Sequence, residues 1–161
     1  MRELNLKFTD LSGIRPAMLG SALAKVQKVT IACCRLSKLQ TRELFEILTG
    51  NNTLEYLDIG NNDISKVHSE VLSAVINSLG YANLTHAKLT KKQMKSVLRG
   101  SLLQTNLQHL NIRGNELDSL PSELHCRVAQ RIKQFHYEQA QICAYLVAKV
   151  NALVILYFIL Y

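Results

Sequence analysis

One apolar spacing recurs five times in this chain, and the intervals between copies are themselves regular. The clearest copy is LEYLDIGNNDI, residues 54–64, carrying Leu54, Leu57, Ile59, Asn62 and Ile64. A strand would place apolar residues at every second position and a helix at every third or fourth, so L-x-x-L-x-L-x-x-N-x-L is neither. The other copies are Met1, Leu4, Leu6, Thr9, Leu11; Val26, Val29, Ile31, Cys34, Leu36; Leu79, Ala82, Leu84, Ala87, Leu89; and Leu107, Leu110, Ile112, Asn115, Leu117. They start at 1, 26, 54, 79 and 107, at intervals of 25, 28, 25 and 28 residues. A period of this size marks a stack of small units, none of which can bury its apolar face without a neighbour.

The residue after each final apolar position is Ser12, Ser37, Ser65, Thr90 or Asp118. All are types that cap helix starts by accepting a bond from an open N–H. Apolar residues at helical spacing follow: Met18, Leu19, Ala22, Leu23; Leu44, Ile47, Leu48; Val67, Val71, Leu72, Val75; Met94, Val97, Leu98. Pro16 and Pro121 fall near the first helical turn, where a missing N–H costs little. Each unit therefore reads strand, turn, helix. Strands are expected at 4–7, 29–32, 57–60, 82–85 and 110–113, and the chain is α/β.

On these residues the array resembles the leucine-rich repeat family. Its unit lengths and cysteine-or-asparagine position are similar to the ribonuclease-inhibitor-like class, which also occurs in the repeat region of NOD-like receptors. The resemblance covers residues 1–124. It implies a solenoid of about five repeats, with parallel strands on a concave face and helices on a convex one. Asn62 should then bridge backbone groups between turns, while Thr9 and Ala87, which replace that asparagine, should leave looser turns. Met1 falls on the first template position with no polar capping segment ahead of it, which favours a fragment of a longer protein.

Beyond residue 124 the period breaks. Leu124, Val128, Ile132, Phe135, Ile142 and Leu146 lie near one helical face, so 125–149 is expected to be a C-terminal capping helix, with a dimerising helix as the rival. Residues 150–161 form an apolar tail, ending LVILYFILY. This is short of the roughly 20 residues a membrane span needs, and extending it back takes in Lys149 and Asn151. The tail also reads as non-native: Lys149-Val150-Asn151 can be encoded by a donor-like AAG-GTA-AAT, and AT-rich intron would translate to such a run. Sequencing the transcript through this junction decides between them.

Catalytic and cofactor signatures are not found. There is no phosphate-binding glycine loop, no H-E-x-x-H and no nucleophile elbow. His68, His86, His109, His125 and His136 lack ligand-like spacing, and Cys33, Cys34, Cys126 and Cys143 include no C-x-x-C. Cys34 takes the turn-asparagine position, so a structural thiol is expected. No catalytic residue, metal or cofactor is assigned, and the chain is read as a non-enzyme.

With 48% hydrophobic and 19% charged residues the chain is foldable, and its net charge is +7. Lys88, Lys92, Lys95 and Arg99 suggest a basic stripe on the fourth helix, but no aromatics interleave it, so a solvated face is favoured over a nucleic-acid site. The residues after Met1 lack a secretory signal, and a reducing, cytoplasmic setting is expected. A membrane would be met only through the apolar tail.

The outward strand positions are the stronger candidate. They form columns: Glu3, Lys28, Tyr56, Tyr81, His109; Asn5, Thr30, Asp58, Asn83, Asn111; and Lys7, Ala32, Gly60, Thr85, Arg113. Tyr56, Tyr81 and His109 would stand side by side, with Asp58, Asn83, Asn111 and Arg113 beside them. Aromatic anchors of this kind are enriched at protein interfaces. The expectation is a non-catalytic module that binds a protein or peptide on its concave sheet. The resemblance also leaves open a sensor region of a NOD-like-receptor-type protein, or a GTPase-activating relative.

Overall fold

A computed structural model of the chain describes residues 2–103, 105–115 and 121–136. Strand and helix alternate throughout: β1 (Glu3–Asn5), α1 (Pro16–Leu23), β2 (Lys28–Thr30), α2 (Lys38–Leu48), β3 (Tyr56–Asp58), α3 (Ser69–Ser78), β4 (Tyr81–Asn83), α4 (Lys91–Ser101), β5 (His109–Asn111), α5 (Ser122–Arg131) and β6 (Gln134–His136). The six strands form one sheet in sequence order, each parallel to the last. Register is constant, pairing Glu3, Lys28, Tyr56, Tyr81, His109 and Gln134 in one row.

The strands begin one residue earlier than expected. Their ladder also runs on: Ile31 N–H donates to Asp58 O, Ile59 to Asn83 O and Leu84 to Asn111 O, at 2.8–3.1 Å. Inward template positions are sealed, with Val29, Leu57, Ile59, Ala82, Leu84 and Leu110 fully buried. Helices cover this face. Because a helix is ~10 Å wide and a strand spacing ~4.8 Å, a stack with all helices on one side must curve with the sheet inside.

The two interval lengths have a structural meaning. In the 28-residue repeats, Ser37 and Thr90 cap 11-residue helices, each completing a reciprocal box with Gln40 or Gln93. In the 25-residue repeats the helix starts three residues later, at Arg15, His68 and Pro121, with no side-chain cap. The expectation that Ser12 and Ser65 are caps is therefore corrected. Ser65 instead turns its hydroxyl to Asp63 Oδ1 at 2.6 Å. Asp118 and Leu117 lie outside the described residues.

The tail differs from the sequence expectation. In place of one helix over 125–149, α5 ends at Arg131, Ile132 is buried, and β6 pairs with β5. Ile132 lies 25 residues after Leu107, continuing the alternation into a sixth repeat. Residues 137–149 and the apolar tail lie outside the described residues. Among the described residues no helix is long and apolar enough to cross a membrane.

Candidate protein-binding face

Backbone conformation sets the edge of the hollow. Phe8, Cys33, Asn61, His86 and Gly114 occupy the same template position in five repeats, and all have φ between 50 and 67°. This left-handed residue turns each chain off the sheet. At Gly114 it combines with a close approach: a Cβ there would fall 2.1 Å from the His86 ring, so glycine is required on two counts.

The turn behind that residue is held by amides. Asn62 Oδ1 accepts from the Cys34 and Leu36 N–H groups at 3.2 Å, and its Nδ2 donates to Ile31 O at 2.8 Å. Asn115 repeats the pattern toward Leu89 N–H and Leu84 O. In the repeat before Asn62, Cys34 Sγ donates to Leu6 O at 3.0 Å. Burial pushes this thiol's pKa up, which keeps it a donor and fits a structural role. Ala87, at the equivalent place, is buried and its side chain bridges nothing.

On the open face the expected columns form. The Tyr56 and Tyr81 rings stack with centroids 4.1 Å apart and planes 9° apart. His109 continues the row, 5.9 Å from Tyr81 and tilted by 33°. Stacking runs along the sheet, so the rings stand on edge and show their rims to the hollow. Burial, and then the neighbouring Tyr81 phenol and Asp58 carboxylate, push the Tyr56 pKa up to about 12. Its hydroxyl is thus a permanent donor at neutral pH.

The second column has a structural duty that sequence reasoning missed. Asn5, Asp58, Asn83 and Asn111 each accept, through Oδ1, the N–H two residues on, at Lys7, Gly60, Thr85 and Arg113. These Asx turns end the strands, and their signal was a short polar side chain two residues before each bend. Asp58 is buried, whereas Asn83 and Asn111 are half-buried and Arg113 is exposed on the following column. All seven predicted residues thus lie on one face of β3 to β5 and their exits.

The basic stripe is corrected in part. Lys88 precedes α4 and lies 3.2 Å from Asp63 Oδ2, leaving Lys92, Lys95 and Arg99 on the helix. Among the described residues no cluster of three His, Cys, Asp or Glu is placed to hold a metal. One cleft of about 700 Å³, lined by Ser73, Asn77, Gly100 and Arg131, is on the helix side, and another of about 730 Å³ is lined by Glu55, Gly80 and Gln108 just before the strands.

Two family models described as leucine-rich repeat match, at residues 50–67 and 106–126. Both fall on the repeats whose turn asparagine bridges to the preceding unit. The chain carries leucine-rich repeats. It is also similar to a human protein, "NACHT, LRR and PYD domains-containing protein 13", at 27% identity over 141 residues, covering 81% of this chain. The chain spans 13% of that relative's length. Leucine-rich repeats of this kind serve as protein-interaction modules.

Proposed function

We propose that this chain is a non-catalytic module that binds a protein or peptide on its concave sheet, through Tyr56, Tyr81 and His109 with Asp58, Asn83, Asn111 and Arg113 around them. The Tyr56–Tyr81 stack carries this reading. Two large aromatics stand at 4.1 Å on a face whose packing does not require them, since the core lies on the other side. Aromatic pairs held rigid before binding lose little conformational freedom on contact.

A second reading is favoured by the similarity to the NACHT, LRR and PYD protein: the chain acts as the sensor repeat region of a larger assembly of that type. On that reading the hollow still binds, and its occupancy is communicated to domains outside this chain.

The test is capture of a partner by the full chain, followed by substitution. Tyr56→Ala with Tyr81→Ala should lower affinity by about 2 kcal/mol or more, with thermal unfolding close to wild type. Lys92→Glu with Lys95→Glu on the convex side should leave capture intact and alter only its salt dependence. Silent tyrosines with essential lysines would move the site to the helices.

A further inference from the structure

Asp58 sits at the centre of the hollow, 8% exposed. Among the described residues its carboxylate takes one hydrogen bond, from Gly60 N–H to Oδ1 at 3.1 Å, and joins no ion pair. The Asx turn does not explain its charge, because Asn5, Asn83 and Asn111 make the same turn with neutral amides. A buried carboxylate without a cation is costly, and among the described residues no donor reaches its second oxygen, Oδ2. Tyr56 lies two residues before Asp58 on the same face of β3, and its ring stacks on that of Tyr81 in the adjoining column.

We propose that Asp58 and the two flanking tyrosines form a seat for one basic side chain, lysine or arginine, of an extended protein segment lying across the hollow. This rests on the concave-face reading and names the chemistry of its partner. An ammonium or guanidinium N–H donates to Asp58 Oδ2, a charge-assisted bond strengthened by the low local dielectric. The ring rims contact the alkyl stem, and Tyr56 contributes its hydroxyl. Lys7, Lys28 and Arg113 bound the hollow with positive charge, so a run of basic residues is repelled. The partner supplies a single cation in a neutral or acidic setting.

Random 12-residue peptides displayed on phage, selected on the full chain, provide the probe. Selected peptides are sorted by whether Tyr56→Ala with Tyr81→Ala abolishes their binding. Those that depend on the tyrosines should share one fixed Arg or Lys. Synthesised with citrulline or norleucine at that position, they should bind wild type about tenfold more weakly or worse. Against Asp58→Asn the same exchange should change binding by less than about twofold. Asp58→Asn keeps the turn that asparagine makes in three other repeats, and Asp58→Thr, copying Thr30, serves if it does not fold. Tyrosine-dependent peptides that lack a fixed cation, or that bind Asp58→Asn as tightly as wild type, overturn the seat and leave the concave-face reading standing. Peptides that never depend on the tyrosines overturn both.

Discussion

The side-chain amide of Asn62 serves five backbone groups: the N–H of Cys34 and Leu36, and the carbonyls of Ile31, Ile59 and Gly60. Three of these belong to the preceding repeat. Asn62→Ala would strand two N–H groups in a site 4% exposed, each costing about 1–3 kcal/mol, so a loss of ~3 kcal/mol or more should appear in urea unfolding. Leu57→Asp should be worse, because Leu57 is fully buried in the central strand and the new carboxylate has no partner there. Tyr56 makes a different prediction. Its pKa is about 12 in the folded chain, above the ordinary value of 10. The folded form thus keeps the phenol proton that the unfolded chain releases. Its contribution to stability is present below pH 10 and is lost as pH rises from 10 through 12. Tyr56→Phe should flatten that part of the stability profile, measured by urea unfolding at a series of alkaline pH values.

Between residues and the whole stack, the glutamines of α2 and α4 tie elements together. Gln93 Oε1 accepts from Thr90 N–H at 2.8 Å, closing the capping box, while Nε2 donates to Ile64 O and Val67 O in the previous turn. Gln40 does the same toward Leu11 O, Ser12 O and Ile14 O. Thr90→Ala should therefore cost about 1 kcal/mol, as an ordinary cap does. Gln93→Glu, which a capping box tolerates, should cost more, about 2–4 kcal/mol at neutral pH, because it sets a carboxylate against two carbonyls. Urea midpoints for the two variants give the comparison. The sequence made the strand starts and buried positions legible, since apolar spacing is the direct imprint of a one-sided core. It misled at Ser12 and Ser65, because residue type alone does not show that the helix begins three residues later. It misled again at Val128, Ile132 and Phe135. Their spacing fits one helical face, but it is also the end of α5 followed by the L-x-x-L of a new strand. Tyr56, Tyr81 and His109 were placed in their row by template position, whereas the ionic isolation of Asp58 was not readable. Outward side chains are free of packing constraints, so nothing in their sequence reports what they touch.

For the molecule as a whole, the unit is a pair of repeats. Copies starting at 1, 54 and 107 are of one kind and those at 26, 79 and 132 of the other, each 53 residues from the next of its kind. The helices follow suit. α1 packs closely on α2 and α3 on α4, while α2 and α3 lie more loosely. Gly20 lets Ile47 close in the first pair, and Gly100 lies against Ser73 and Asn77 in the second. The rim charges alternate in step, with Asp10 bonded to Arg35 and Asp63 to Lys38 and Lys88. In a solenoid, stability is close to a sum of unit and neighbour terms, so removing units should be tolerated wherever the interface is regenerated. Deleting residues 54–106 removes one whole pair. It brings the Leu107 copy onto the Val26 copy, where Asn115 can take over the bonds of Asn62 to Cys34 and Leu36. That chain should unfold cooperatively, with a lower midpoint and a denaturant slope reduced with the buried surface. Deleting 54–78 removes fewer residues but stacks two repeats of the same kind. Gln93 would then meet the capped start of α2 instead of the open turn at Ile64 and Val67, and no asparagine would reach Cys34. The smaller deletion should be the more damaging, with a broad or absent transition in urea. If both deletions unfold alike, the pair is not the unit and each repeat stacks independently.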